Sequence, residues 1–245
     1  MSSRPPSDSA RPMLVIQTGN TLPVLRGRHG DFPDWIRHGL GLRRDEVEVV
    51  RVHEGGTLPD PRTVAGALVT GSGAMVTERL DWSEATAAWL RDAVAAGLPL
   101  LGICYGHQLL AHALGGRVAD HPDGREVGTI EVERLAAADG DALFDAAPAR
   151  FRAHATHEQS VLELPPGAVA LASSAHDGNQ AVRFAPLAWG VQFHPEFSAG
   201  VMRAYIQRPS KVNCTRSCCA IREARPAPFG RRLLKRFRAI AYTGR

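Results

Sequence analysis

The chain has 245 residues, of which 44% are hydrophobic, 22% charged and 6% aromatic. These values are typical of a globular protein, and the length is sufficient to bury a sizeable core in one α/β domain or two small ones. The longest apolar runs, such as residues 98–104, are far too short to cross a bilayer. Residues 1–12 are polar and lack the apolar region of a signal peptide. We therefore expect a cytoplasmic globular protein with a disordered N-terminal tail over residues 1–12 and no contact with a membrane.

The net charge of +4 conceals an uneven distribution along the chain. Residues 203–245 contain twelve Lys and Arg residues and a single acidic residue, Glu223, so this stretch carries a charge of +11 and the remainder a charge of −7. A basic tail can bind nucleic acid. Few aromatic residues, such as Phe229 and Phe237, are interleaved with the basic side chains, and no nucleic-acid recognition motif is present. We therefore do not expect nucleic-acid binding.

Short β-branched runs alternate with helical stretches along the first half of the chain. The pattern predicts strands over residues 13–17, 47–52, 67–70 and 98–103 and helices over residues 83–96 and 106–114. The second half predicts shorter strands, over residues 127–134, 151–153, 169–172, 181–184 and 188–193. Strands that alternate with helices favour an α/β fold with an open, mostly parallel sheet flanked by helices and a small antiparallel addition.

The C-terminal part of the sequence contains an anomalous segment. A helix predicted over residues 201–208 is followed by residues 209–219, which have no periodicity and hold three of the four cysteines. Zinc ligation by Cys214, Cys218 and Cys219 is one interpretation, but the spacing is wrong and no histidine lies nearby, so we expect no metal. The alternative hypothesis is a short reading-frame slip in the coding DNA. Beyond this segment, residues 228–241 have amphipathic helical spacing.

The strongest chemical signal is the run GICYGHQ at residues 102–108, between a predicted apolar strand and a predicted helix. This is the arrangement of a nucleophile elbow, in which glycines on both sides of the nucleophile allow a tight turn. The N-terminus of the following helix favours a thiolate. The sequence therefore predicts that Cys104 is a nucleophile.

A thiolate nucleophile needs a base, and His194 is the best placed of the ten histidines. It ends the predicted strand 188–193 and is followed by Pro195, which interrupts the ladder, and by Glu196, which can face back to the imidazole. Cys104, His194 and Glu196 thus form a candidate set of nucleophile, base and orienting carboxylate.

The runs GICYGHQLLAHALGG and WGVQFHPEF resemble the class I, or triad, glutamine amidotransferases, in particular the glutaminase part of GMP synthase and its stand-alone relatives. The resemblance covers residues 13–208 and leaves residues 209–245 as a basic C-terminal extension. It implies a flavodoxin-like glutaminase domain that needs no cofactor. It also implies that Cys104 attacks the side-chain amide of glutamine, that His194 acts as base and acid, and that a γ-glutamyl thioester forms.

The same resemblance assigns roles to further positions. Gly71 and Ser72 match the family's oxyanion loop, where the backbone N–H groups of Ser72 and Tyr105 would face the developing oxyanion. Gly73 stands where the family usually has proline, which implies a less preorganised loop. Gln108 matches a residue that contacts the backbone end of the substrate.

Residues 156–159 (THEQ) match a Ser-His-Gly-Asp-like segment of the family. His157 is accordingly expected to help bind the α-amino and α-carboxyl groups of glutamine. Gln159 replaces the family's aspartate, so recognition of the α-ammonium group by a charge is weakened.

Three functions are consistent with these residues. The first is a glutaminase subunit that supplies ammonia to a separate synthetase, because the sequence has no nucleotide-binding glycine loop of its own. The second is a stand-alone hydrolase of γ-glutamyl amides or peptides. The third is a non-catalytic regulatory module that retains the fold. The intact set of Cys104, His194 and Glu196 favours an enzyme.

Overall fold

In the computed structural model, which describes residues 11–207 and 223–243, a nine-stranded sheet runs through the centre of the protein. Its strands lie in the order β2 (Val47–Arg51), β1 (Met13–Gln17), β3 (Gly66–Val69), β4 (Leu100–Ile103), β11 (Ala188–Val191), β10 (Ala181–Ala185), β9 (Val169–Ser173), β6 (Glu126–Arg134) and β7 (Arg150–His157). The strands from β2 to β11 are parallel, and those from β11 to β7 pair antiparallel. A separate antiparallel pair joins β5 (Arg117–Asp120) to β8 (Gln159–Glu163). The predicted α/β fold class is confirmed.

Six α-helices are present among the described residues: α1 (Pro23–His29), α2 (Phe32–Leu40), α3 (Asp81–Ala95), α4 (Tyr105–Ala113), α5 (Ala199–Gln207) and α6 (Phe229–Thr243). Alternate residues of β1 divide the core between the two faces of the sheet. Met13 and Val15 join the apolar cluster that contains α2 and α6, whereas Leu14 and Ile16 join the cluster that contains α3 and α4. Covered on both faces, β4 is fully buried along its length, as its continuous apolar run predicts.

The predicted elements are present with shifts of a few residues at their ends, but four elements were not predicted from the sequence. The helices α1 and α2 are short and contain proline, glycine and histidine, which obscure their periodicity. Strand β5 has four residues, none of them buried, so it lacks an apolar signal. Strand β8 directly follows β7 and has no separate turn signal.

The C-terminal helix α6 confirms the amphipathic spacing of residues 228–241. Its buried side chains pack with those of α2, and the approach is so close that a Cβ atom on Gly39 would lie 2.3 Å from Leu234 Cδ1. The buried residues of α6 are Phe229, Gly230, Leu233, Leu234, Phe237 and Ile240. Four basic residues of the same helix, Arg231, Arg232, Lys235 and Arg236, are exposed.

The anomalous segment 209–219, with its zinc and frame-slip interpretations, lies outside the described residues, as do most of the predicted N-terminal tail and the last two residues. The bounds of the predicted domain and of the basic extension stay predictions. Among the described residues, no helix combines the length and the apolar character needed to span a membrane.

We predict that α6 is necessary for the stability of the fold, although it lies beyond the stretch that resembles the family. Phe237 is fully buried in the cluster that joins α6, α2 and the sheet. The change Phe237→Ala is expected to lower the free energy of unfolding by about 3–5 kcal/mol, because it removes a large buried side chain and leaves a cavity. Urea unfolding measures the effect.

The matched control is Val24→Ala, a change at a side chain that is 66% exposed and is expected to have little effect on the same measurement. Equal stability of the two variants would show that α6 contributes nothing to the core.

Candidate active site

Cys104 lies on a sharp turn between β4 and α4, with φ 52° and ψ −102°. Apart from glycines, only Cys104 and Arg79 have a positive φ in the described part of the chain. Such a conformation costs about 1–3 kcal/mol and persists only where the surroundings hold it. Here the backbone N–H of Cys104 donates to Val191 O at 2.8 Å, and its carbonyl accepts from Gln108 N at 3.1 Å.

The two glycines of the predicted elbow are required by close backbone contacts. A Cβ atom on Gly102 would lie 2.4 Å from Gly106 O, and one on Gly106 would lie 2.4 Å from Val69 O. Gly106 also donates its N–H to Thr70 O at 3.2 Å, which ties the first turn of α4 to the end of β3. A side chain at either position would displace the backbone that carries Cys104.

His194 and Glu196 form a buried pair next to Cys104. Nδ1 of His194 lies 2.8 Å from Oε1 of Glu196, and the two side chains are 3% and 0% exposed. Because a carboxylate only accepts, Nδ1–H donates to Glu196 and the opposite nitrogen, Nε2, is available for proton transfer. A Cβ atom on Gly71 would lie 2.9 Å from His194 Cε1 and 3.8 Å from Cys104 Cβ, so the ring and the cysteine share one neighbour.

The His194 ring is held in place by aromatic stacking and by the backbone. Its centroid lies 4.1 Å from that of Phe197 and 6.1 Å from that of Phe32, with both pairs nearly parallel. The backbone N–H of His194 donates to His154 O at 2.7 Å. In this conformer the Cys104 thiol donates to Thr156 O at 3.8 Å. Nε2 of His194 has no hydrogen-bond partner in the described part of the protein.

Charges at the site favour a thiolate and an imidazolium. Burial raises the pKa of the Cys104 thiol, but the charge of His194, with a smaller effect of His157, outweighs burial and lowers it below its usual value. Burial likewise lowers the pKa of His194, but Glu196 and Cys104 outweigh it and raise that pKa to about 10. Both shifts favour the ionised pair, and the thiolate is the nucleophilic form.

A cavity of about 500 Å³ opens above Cys104 and His194. Four of the other residues predicted from the resemblance line it, namely Ser72, Tyr105, Gln108 and His157. Gly71, the remaining one, packs against the His194 ring at its floor. The structure therefore brings the predicted residues together in one pocket. Their functions stay predictions.

The predicted oxyanion loop follows β3 and is fixed by hydrogen bonds with Thr18. The Thr18 hydroxyl is 3.1 Å from Gly71 O, and the hydroxyl of Ser72 donates to Thr18 O at 2.8 Å. A Cβ atom on Gly73 would meet nothing within 4 Å, so the replacement of proline is not forced by packing. Ser72 and Tyr105 both line the cavity beside Cys104.

Gln108 and His157 are held by the same carbonyl group. Nε2 of Gln108 donates to Gln159 O at 2.6 Å, and Nδ1 of His157 lies 3.0 Å from that oxygen. The side-chain amide of Gln159 donates to Thr77 Oγ1 and Asp120 Oδ1, at 2.7 and 2.9 Å. Gln159 therefore anchors the wall of the cavity with both its backbone and its side chain.

Several residues that line the cavity were not singled out from the sequence. Arg125 and Glu158 bring a positive and a negative charge to the lining, and Phe32 and Tyr205 bring aromatic surface. Arg125 donates to Thr156 Oγ1 at 3.0 Å. No spacing links these positions to Cys104, because they belong to loops and helices that only the folded chain brings together. Of these four residues, only Glu158 lies in a segment that the sequence analysis singled out, the run THEQ at residues 156–159.

One group of side chains away from the nucleophile has the residue types of a metal site. His121, Asp123 and His176 bring one ligand atom each within 4.8 Å of the others. One nitrogen of each ring already has a partner, since Asp123 N donates to His121 Nδ1 and His176 Nε2 donates to Gly124 O. A metal ion on His121 would compete with its hydrogen bond, whereas Nδ1 of His176 is left available as a ligand. None of the three residues lines the cavity above Cys104.

A family model described as glutamine amidotransferase class-I matches residues 29–211, about three quarters of the chain. The chain belongs to the class-I glutamine amidotransferase family. The match includes Cys104, His194 and Glu196, which the structure places side by side.

Curated relatives and solved structures agree with this assignment. The chain is 43% identical over 175 residues to a subunit of GMP synthase (glutamine-hydrolyzing) from Methanopyrus kandleri, a match that covers 71% of this chain and 88% of the relative. It is 45% identical over 113 residues to GMP synthase (glutamine-hydrolyzing) from Thermomicrobium roseum. This match covers 46% of this chain and 20% of the relative. A glutamine amido transferase structure from Methylobacillus flagellatus has a TM-score of 0.76 and 25% identity, with 96% of each chain covered.

The chain spans only a part of some of these relatives. The matches cover 20% of the Thermomicrobium roseum protein and 25% of the GMP synthase (glutamine-hydrolyzing) from Aeropyrum pernix. The fold is also similar to a glutamine amidotransferase structure from Thermotoga maritima, with a TM-score of 0.72 and 20% identity. That alignment covers 95% of this chain and 99% of the other.

We predict that Gly106→Ala destabilises the protein by about 1–3 kcal/mol, because the added Cβ would overlap the carbonyl group at Val69 and force the backbone to shift. Thermal unfolding measures the loss. The matched control is Gly27→Ala in α1, where nothing lies within 4 Å of the added atom and the helix gains from alanine. A Gly106→Ala variant as stable as Gly27→Ala would show that the elbow tolerates a side chain.

We predict that Glu196 sets the pH range in which Cys104 is reactive. The raised pKa of His194 keeps its imidazolium charged up to about pH 10, so the wild-type thiol should react with iodoacetamide well below the usual thiol pKa. In Glu196→Gln the carboxylate charge is gone and burial favours the neutral ring, so the midpoint of the reaction should move to higher pH.

Peptide mapping of Cys104 across a pH series measures this midpoint. The control is Glu84→Gln, which removes a surface carboxylate that pairs with His112 at 3.0 Å. The interpretation is wrong if a folded Glu196→Gln variant retains the wild-type midpoint.

Proposed function

We propose that this chain is a glutaminase of the glutamine amidotransferase type, acting in the cytoplasm, with Cys104, His194 and Glu196 as its catalytic triad. The observation that carries the proposal is a buried thiol of lowered pKa at the floor of a cavity of about 500 Å³, next to a His–Glu pair 2.8 Å apart. Glutamine enters with its side-chain amide towards Cys104, and ammonia and glutamate leave.

In the first step the Cys104 thiolate attacks the amide carbon of glutamine. A bond forms between Sγ and this carbon, and the carbonyl electron pair moves to the oxygen, which becomes an oxyanion. The backbone N–H groups of Ser72 and Tyr105 donate to this oxyanion. Tyr105 suits this role because it opens α4, where the first N–H groups have no partner within the helix.

The tetrahedral intermediate then collapses and the carbon–nitrogen bond breaks. His194 gives its Nε2 proton to the leaving nitrogen, which departs as ammonia, and a γ-glutamyl thioester remains on Cys104. A water molecule, deprotonated by the now neutral His194, attacks the thioester. Glutamate leaves and the thiolate and imidazolium are restored. Glu196 holds the ring in one tautomer throughout.

We further propose that the ammonia passes to an acceptor on a separate synthetase. A relative that this chain covers over 88% of its length is described as one of the subunits of GMP synthase (glutamine-hydrolyzing), which supports the idea of a glutaminase that works within a larger assembly. The basic C-terminal extension, or an exposed apolar face, would dock such a partner.

The second candidate is a stand-alone hydrolase of γ-glutamyl amides or peptides. It is favoured by the cavity of about 500 Å³ above Cys104, which leaves room for a leaving amine larger than ammonia. An enzyme of this class needs an open pocket and no partner. It would use the same thioester chemistry on a different leaving amine.

We predict that Cys104→Ser abolishes the release of ammonia from glutamine and leaves the fold intact. His194→Ala should lower kcat by about a thousandfold or more, because both proton transfers are lost, whereas Glu196→Gln should cost less because Glu196 only orients the ring. A coupled ammonia assay gives the rates, and thermal unfolding verifies the fold. Undiminished turnover in folded Cys104→Ser would exclude this nucleophile.

The same assay separates the remaining hypotheses. A glutaminase that works with a synthetase should show slow turnover that rises when the synthetase is added. A stand-alone hydrolase should cleave γ-glutamyl amides unaided and prefer one amine. A regulatory module should do neither, and that result would contradict the proposed function.

A further inference from the structure

A second buried His–Glu pair borders the cavity, in addition to the pair formed by His194 and Glu196. In the antiparallel register of β6 and β7, Glu126 lies directly across from His157. Nε2 of His157 is 2.9 Å from Oε2 of Glu126, and the two side chains are 1% and 8% exposed. His157 also lines the cavity above Cys104.

The hydrogen bonds of His157 define its protonation state. Nε2 faces the Glu126 carboxylate, and Nδ1 faces the carbonyl oxygen of Gln159 at 3.0 Å, with the Ser160 hydroxyl at 3.3 Å. A carboxylate and a carbonyl oxygen accept hydrogen bonds, so these two contacts favour a ring that donates from both nitrogens. An imidazole that donates from both nitrogens is the positively charged imidazolium.

Glu126 is itself fixed as the negative partner of this pair. Gln180 Nε2 donates to its Oε2 at 2.8 Å, and the Ser174 hydroxyl lies 3.3 Å from its Oε1. Burial lowers the pKa of His157, but the hydrogen bond and charge of Glu126 outweigh burial and raise it above its usual value.

The other charged and titratable groups around His157 include Arg125, which lines the same cavity and donates to Thr156 Oγ1 at 3.0 Å. Asp177 and Cys104 act on His157 as negative charges. Burial lowers the pKa of His107 to about 4, so this neighbour is neutral at physiological pH. Burial and the proximity of His176 lower the pKa of His121. The ring of His176 lies 6.1 Å from that of His157, edge to face.

The protons of the two histidines have different fates in the proposed reaction. His194 must give its Nε2 proton to the leaving nitrogen, so its charge disappears in the middle of the cycle. Both protons of His157 are held by acceptors within the protein, so its charge persists. Because its N–H groups are already used, His157 acts on the thiolate through charge and has no free donor for the substrate.

We propose that Glu126 is a positioning residue that keeps His157 as a permanent imidazolium on the cavity wall, where its charge stabilises the Cys104 thiolate together with His194. The inference rests on the proposed function for its catalytic meaning. Its physical part, the charge on His157 and the effect on the thiol, can be measured without glutamine.

The test is the pH dependence of Cys104 alkylation by iodoacetamide in Glu126→Gln, followed by peptide mapping. Loss of the carboxylate charge leaves burial to favour neutral His157, so the thiolate loses the charge of one neighbouring cation. The midpoint is expected to rise by about one pH unit, which lowers the alkylation rate about tenfold below the midpoint. The control Glu84→Gln, which removes the carboxylate of a surface His–Glu pair, should leave it unchanged.

A double variant shows whether Glu126 acts through His157. His157→Gln alone removes the cation and should raise the midpoint by a similar amount. Adding Glu126→Gln to His157→Gln should produce no further rise, because the residue through which it acts is already absent. A merely structural role of Glu126 would give additive effects on stability and no shift in the midpoint.

An unchanged midpoint in folded Glu126→Gln would overturn the proposal. If this variant does not fold, nitrogen NMR of the histidine rings in the wild-type protein decides the matter. Imidazolium signals from His157 at pH 8 are expected, and signals of a neutral tautomer would refute the inference. Neither readout requires turnover, so the outcome stands even if the chain does not hydrolyse glutamine.

Discussion

The strained backbone of Cys104 is the constraint on which the site depends. Three parallel strands, β3, β4 and β11, lie side by side at this point, and the turn after β4 is fixed by a hydrogen bond to Val191 and by the carbonyl-to-Cβ contacts that exclude side chains at Gly102 and Gly106. A Cβ atom on Gly71, in the loop that follows β3, would lie 3.8 Å from Cys104 Cβ and 2.9 Å from Cε1 of His194, which follows β11. The predicted oxyanion loop, the His–Glu pair and Cys104 therefore lie close together, because all three follow the carboxyl ends of neighbouring parallel strands.

Burial and neighbouring charges have opposite effects on the pKa values of Cys104 and His194, and the effect of the charges is the larger one. Burial alone would keep both Cys104 and His194 neutral, since an isolated charge is costly away from water. The charge of Glu196 raises the pKa of His194 in spite of burial. The charges of His194 and His157 lower the pKa of Cys104 in spite of burial. Each buried charge thus has a partner of opposite sign within the described residues. In this buried site, removing one charge of a pair leaves its partner buried without compensation, which is costly in free energy. Single carboxylate-to-amide changes are therefore informative here.

The features that could be predicted from the sequence are those determined by residues close together in the chain. The elbow is contained in residues 102–108, and His194 and Glu196 are two residues apart after a recognisable strand. Glu126 and His157 are 31 residues apart in the sequence, and their contact depends on the register of β6 and β7. No local sequence pattern reveals that register. The short helices α1 and α2 were missed because their proline and glycine residues mask the helical period.

The measurement that tests the central claim most directly is the mass of the intact protein after exposure to a diazoketone analogue of glutamine, with Cys104→Ser as the control. A glutamine pocket with a reactive thiolate predicts one adduct on the wild-type protein and none on the variant, even if turnover requires a partner. A folded wild-type protein that remains unmodified, or a variant that is labelled equally, would contradict the account of Cys104 as the nucleophile of a glutaminase.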